Sequence, residues 1–160
     1  MRLLLAALSL LFALGAAPAR AQSDAQHMLD AIFQAFDEDH DGVITTAEAN
    51  RVIDRSFAEM DPKKTGRMSA EAWMRFSFGL ADLAADQGRS DAYDRAKAEI
   101  FRRWDHRRIG ALTLEDYRAG VLGDARKALH GKVEEGGEMR LDLAAFRRTP
   151  FMRQILKSLH

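Results

Sequence analysis

The 160-residue chain has no cysteine. That removes disulfide frameworks, thiolate metal sites and cysteine nucleophiles together. An excess of either charge is missing too, because 24 Lys and Arg stand against 24 Asp and Glu. Residues 22–160 alone hold 22 bases and 24 acids, and a net charge of −2 excludes a general nucleic-acid binder. No apolar run reaches the ~20 residues of a membrane-spanning helix; the longest, Leu3 to Ala17, is 15 residues broken by Ser9 and Gly15. A Ser-His-Asp set, a phosphate-cradling glycine loop and paired catalytic carboxylates are all lacking, so no enzyme is expected. The length fits one domain, or at most two small ones.

The chain opens as an address label. Met1 and Arg2 make a positive head, the apolar run comes next, and Ala19-Arg20-Ala21 supplies the small-x-small pattern that signal peptidase reads. Residues 1–21 are expected to be a signal peptide, with Gln22 as the mature N-terminus and export to a bacterial periplasm or beyond. An uncleaved anchor is the competing possibility, and its short apolar run weighs against it. With no cysteine after that run, a lipid-anchored form is excluded.

A repeat runs through the mature chain. Ile32-Phe33-x-x-Phe36-Asp37, Ser56-Phe57-x-x-Met60-Asp61 and Ile100-Phe101-x-x-Trp104-Asp105 align without gaps. Each Asp is followed at five residues by glycine (Gly42, Gly66, Gly110), then by an apolar and a hydroxyl residue (Ile44-Thr45, Met68-Ser69, Leu112-Thr113). A fainter fourth copy fits Gly137, Met139 and Leu143. Apolar spacing of three before each Asp is helical, and glycine with polar residues interrupts it. The unit is a helix, a glycine-bent loop and a second helix.

Only the first copy is chemically complete. Residues 37–48, DEDHDGVITTAE, fit the twelve-residue calcium loop in which hard oxygen ligands recur at alternating positions. Carboxylates of Asp37, Asp39 and Asp41 converge from one side, and Gly42 permits the turn that brings the Val43 carbonyl to the ion. Thr45 acts through a water, and Glu48 closes the shell with both oxygens. Four carboxylates around one loop repel each other, so a divalent cation relieves that repulsion as it binds.

On these residues the mature chain resembles the EF-hand superfamily, and especially the multi-EF-hand calcium-binding proteins exported by bacteria. The resemblance covers most of residues 25–148 and implies calcium as cofactor. It carries metal roles only onto Asp37, Asp39, Asp41, Val43, Thr45 and Glu48. Loop two (61–72) has Lys63 and Thr65 at the third and fifth positions and Ala72 where the closing Glu belongs; Glu71, one residue early, points about 100° away on a helix. Loop three (105–116) has Arg107 and Ile109 at ligand positions, although Asp116 offers a shorter closing carboxylate and leaves weak binding open. Loop four (132–143) begins with Lys132 and ends with Leu143. Loops two to four are expected to hold helices together without metal.

The fold expected is all-α apart from short loop-to-loop β bridges, in a single compact domain over residues 22–160. Helices are predicted near 25–36, 46–60, 69–84, 91–104, 113–129 and 141–158, the last broken before Pro150. Loop starts lie 24, 44 and 27 residues apart, so loops one and two share one helix of about a dozen residues, roughly 18 Å long. Loop two is then expected to pair with loop three, and loop one with loop four.

Other features are weaker. The five histidines show no zinc-ligand spacing, and His40 takes a loop position that faces solvent. Most of the six methionines left after export fall on repeat positions that should be core rather than a partner groove. Residues 22–88 carry 13 acids and 6 bases, whereas residues 89–160 carry 11 acids and 16 bases. The basic run Arg102-Arg103-Trp104-Asp105-His106-Arg107-Arg108 is either a solvated helix end or a docking face for an anionic partner. The function expected is calcium binding, mainly structural or as a low-affinity sensor. The alternative is an adaptor or sensor that docks a protein partner through an apolar groove or through its basic C-terminal half.

Overall fold

The computed structural model describes residues 17–130 and 137–160, with side chains from Asp24 onward. Residues 1–16, most of the expected leader, and 131–136, which include the start of the expected fourth loop, lie outside the described residues. The described chain is mostly helical and all-α in class. Its helices are α1 (Ala17–Phe36), α2 (Thr46–Met60), α3 (Ala70–Arg75), α4 (Ala81–Asp86), α5 (Ser90–Trp104), α6 (Leu114–Ala128), α7 (Leu143–Arg148) and α8 (Pro150–Ser158). Four very short strands join them: β1 (Val43–Thr45), β2 (Met68–Ser69), β3 (Ala111–Leu112) and β4 (Arg140–Asp142). Among the described residues no helix is long and apolar enough to cross a membrane.

The strands pair as the loop spacing requires. Antiparallel β1–β4 sets Ile44 opposite Leu141, and antiparallel β2–β3 sets Met68 opposite Leu112. Loop one therefore lies beside loop four and loop two beside loop three, while α2 is the helix shared by loops one and two. Ile44, Met68, Leu112 and Leu141 are all buried, so each bridge pins its two loops to the core through an apolar pair.

Helix starts obey local chemistry. Thr45 caps α2 and Thr113 caps α6, each in a reciprocal capping box with Glu48 or Asp116. Ser69 and Asp142 cap α3 and α7 through single bonds to the amides of Ala72 and Ala145. Pro150 opens α8 after Thr149, the break expected there. Along α2, Ala49, Ile53, Phe57 and Met60 recur at helical spacing and are buried. The centre of the molecule is aromatic: the Trp73 ring lies 4.7–6.2 Å from those of Phe78, Phe101, Trp104 and Tyr117. Four of the six methionines, Met60, Met68, Met139 and Met152, are core residues.

Two expectations are corrected. The single helix expected over 69–84 is two, separated by residues 76–80. There Phe78 and Gly79 take positive φ (50° and 75°), which no helix accommodates. Finally, the 132–143 frame for loop four is two residues early. Leu141, not Met139, faces Ile44, and Asp142, not Arg140, caps the following helix, which sets the frame at 134–145. A cap must accept a hydrogen bond, and an arginine side chain has no acceptor.

The break at residues 76–80 is held by a buried lysine. Lys97 of α5 is 1% exposed, and its ammonium donates to the carbonyls of Met74 (2.6 Å) and Phe76 (2.7 Å). Those carbonyls are released where α3 ends, and a buried unpaired carbonyl would cost about 1–3 kcal/mol. The Tyr93 hydroxyl donates to Ser77, and the Lys97 ammonium lies 5.3 Å from the Tyr93 ring centroid and 5.7 Å from that of Phe78. Burial pushes the Lys97 ammonium below its usual range, partly opposed by the carboxylate of Asp94.

Candidate metal centre

Loops one to three share one backbone design. The fourth position of each has positive φ (His40 60°, Lys64 53°, Arg108 54°), and so does the sixth (Gly42 85°, Gly66 76°, Gly110 70°). The opening aspartate organises this path. Asp37 accepts from the amides of Asp41 (3.1 Å) and Gly42 (3.0 Å); Asp61 does so from Thr65 (2.9 Å) and Gly66 (2.7 Å); Asp105 does so from Ile109 (3.1 Å) and Gly110 (2.8 Å). All three aspartates are buried. The loops thus fold by the same internal bonds whether or not they carry further carboxylates.

Loop one adds convergence. Carboxylate oxygens of Asp37, Asp39 and Glu48 all lie within 4.8 Å of one another. Oxygens around one Ca²⁺-sized ion, at about 2.3–2.6 Å each, can be at most about 4.6–5.2 Å apart, so the trio fits a single first coordination sphere. Glu48, 3% exposed, reaches back across the loop. Its Oε1 accepts from the amides of Glu38 (2.9 Å) and Asp39 (3.4 Å), and its Oε2 from the amide (2.8 Å) and hydroxyl (2.7 Å) of Thr45. The amide of Thr45, ahead of burial and the other donors, holds the Glu48 carboxyl below its ordinary range. A buried carboxylate kept ionised beside two others makes a concentrated anionic pocket of hard oxygens, which suits a hard divalent cation.

The remaining expected ligands are less closely drawn in. Asp41 is exposed; one of its oxygens accepts from the Val43 amide at 3.0 Å, and the other lies 3.3 Å from the guanidinium of Arg140. Val43 is on β1, and the Thr45 hydroxyl is turned onto Glu48. Arg140 is a neighbour that the loop-one sequence does not announce, because only the β1–β4 bridge brings loop four there.

No protein-family model, curated protein or solved structure matches the chain.

Loops two and three replace the missing carboxylates with their own groups. In loop two the Thr65 hydroxyl donates to Asp61 at 2.8 Å, and Lys63 and Lys64 are exposed. The Thr65 amide is the main group holding the Asp61 carboxyl below its ordinary range. In loop three the Arg107 guanidinium bonds the closing carboxylate of Asp116. Burial alone would raise the Asp116 pKa, but the amide and hydroxyl of Thr113 together with Arg107 bring it below the ordinary range. A resident cation on the chain therefore occupies the carboxylate that an ion would need.

A second concavity, about 730 Å³, opens between α1, α2, residues 76–80, α6 and α8. Its walls include Ile32, Phe36, Val52, Phe78, Val121 and Phe151, all apolar and partly exposed.

Proposed function

We propose that the chain is an exported calcium-binding protein of the EF-hand superfamily, with loop one as its calcium site and loops two to four metal-free. The convergence of Asp37, Asp39 and Glu48 within 4.8 Å carries this reading. Asp41, the Val43 carbonyl and a water on Thr45 would complete the shell. Its role is chiefly structural, since amide donors already hold Glu48 and Asp37 in place and leave the ion little to rearrange. Calorimetric titration of the chain should give one Ca²⁺ per chain, and Glu48→Gln should abolish it by removing the negative charge of the closing group and replacing one of its two oxygens with an amide nitrogen. Two equal sites in the wild type would show loop three to be competent and this assignment wrong.

The 730 Å³ apolar concavity favours a second reading, in which a protein partner docks there. The two separate by chelator: a structural ion stabilises the chain without changing partner capture, whereas a sensor captures its partner only with calcium.

A further inference from the structure

Away from the calcium loop, the β2–β3 bridge brings together two loop tips that are 44 residues apart in sequence. The exposed tip residues, 62–67 and 106–110, hold five cations (Lys63, Lys64, Arg67, Arg107, Arg108) and no acid. The acids of these loops point elsewhere or are engaged: Asp61 and Asp105 are buried under their own loop amides, Asp116 is bonded by Arg107, and Glu71 pairs with Arg75. Glu115 remains as an exposed acid behind the tips. Among the described residues, Lys63, Lys64, Arg67 and Arg108 make no ion pair. Amid them stands Ile109, 48% exposed and, among the described residues, the large hydrophobic residue most open to solvent.

We propose that this end of the molecule docks on an anionic phospholipid bilayer, with the five cations over the headgroups and Ile109 entering the interface. Charge complementarity selects an anionic partner. The arrangement favours a bilayer over an acidic protein: the cations are long, exposed and mostly unanchored, which suits a field of mobile headgroups. A protein interface needs a packed apolar centre and fixed hydrogen-bond geometry, and a single isoleucine supplies neither. Near an anionic surface each Lys or Arg contributes about fivefold in affinity, so the tips together suffice for reversible binding at moderate salt.

The test uses the full chain in chelator, so that loop one plays no part. Sedimentation is compared between phosphatidylcholine vesicles and the same vesicles with about a third phosphatidylglycerol, a content that gives a negative surface potential. The N-terminal segment, with Arg2 and Arg20, is common to the wild type and every variant, so the readout is how each variant changes the ratio of the two affinities. A clear preference for the anionic vesicles is expected. It should fall about 25-fold in Lys63→Gln/Lys64→Gln, at two cations of fivefold each. Lys157→Gln, a surface cation on α8, should leave it unchanged, and Ile109→Ser should weaken binding while keeping its salt dependence. Equal affinity for both vesicles overturns the proposal, as does loss in Lys157→Gln matching that of the double variant. Capture by polyglutamate without vesicle preference would assign the surface to an acidic protein instead. Unchanged melting of the glutamine variants shows that any loss is not unfolding.

Discussion

Replacing Asp39 with alanine separates the proposed ion from the loop that holds it. Asp37 is unsuited to this purpose, because its two oxygens organise the loop through the amides of Asp41 and Gly42 even without metal. Asp39 is exposed and accepts only from the Asp41 amide, an acceptor role that Asp37 shares. Its loss should therefore leave the metal-free melting temperature within about 1–2 °C of wild type, as for other surface substitutions. Exported calcium modules commonly bind with dissociation constants of about 10⁻⁴ to 10⁻³ M. Taking ~10⁻⁴ M against ~1 mM free calcium, binding the native state alone contributes about 1.4 kcal/mol. For a chain of this size that raises the melting temperature by about 3–6 °C. A tenfold weaker site after Asp39→Ala retains only about 0.4 kcal/mol, or roughly 1–2 °C. Differential scanning calorimetry with calcium and with chelator gives all four numbers. Full retention of the calcium gain in Asp39→Ala refutes the assigned ligand set. Strong calcium-induced binding of a hydrophobic dye refutes the preformed loop, because it shows the helices opening.

Single contacts set the other expected outcomes. Converting Arg107 and Ile109 together to aspartate removes the resident cation from Asp116 and restores two ligand positions, so calorimetry should then count two calcium ions per chain. Both tyrosines are shielded: burial, with Asp94 nearby, raises Tyr93 strongly, and burial pushes Tyr117 up to about 12 from 10.0 despite its bond to Ser56. A hydroxyl raised in the fold contributes stability that is whole below the unfolded value and lost as pH climbs to the folded one. Native tyrosinate absorbance should therefore stay flat past pH 10, and stability should fall between pH 10 and about 12, by up to about 3 kcal/mol from Tyr117. A tyrosinate step at pH 10 in the folded chain would contradict this burial. Gly120→Ala places a Cβ 2.4–2.7 Å from ring atoms of Trp104, itself 3% exposed, and should cost about 1–3 kcal/mol in urea unfolding; an unchanged midpoint would show that the ring can yield.

Much of this architecture is legible in the sequence, for a physical reason. A loop repeat with fixed Asp-to-Gly spacing sets the bend, and the spacing of loop starts sets which helix is shared. Both strand pairings and the helix shared through residues 46–60 rest on that arithmetic. The break at residues 76–80 is harder to read. Gly79 marks it in sequence, but its cause is Lys97, and lysine reads as surface when it stands on a helix with charged neighbours. Loop four misleads through Gly137, which matches the glycine spacing while Asp142 decides the frame by capping α7. At the site, the alternating acids of loop one are plain. Arg140 beside Asp41 and Arg107 on Asp116 need the fold, since hydrogen-bond partners are set by loop geometry rather than by residue type.

The shared helix α2 has one further consequence. Its 15 residues make a strut of about 22 Å between loop one, the proposed calcium site, at one end and the lysine-bearing loop at the other. Mobile ions in the surrounding solution mute a charge beyond about 8 Å at physiological salt. The two ends are therefore electrically deaf to each other across the solvent. If the cationic tips rest on an anionic surface with α2 standing along its normal, loop one lies outside that surface's ion cloud, and the proposed site would sample the calcium of the bulk. In that arrangement the helix would act as a stand-off, making occupancy of the proposed site independent of where the molecule is docked.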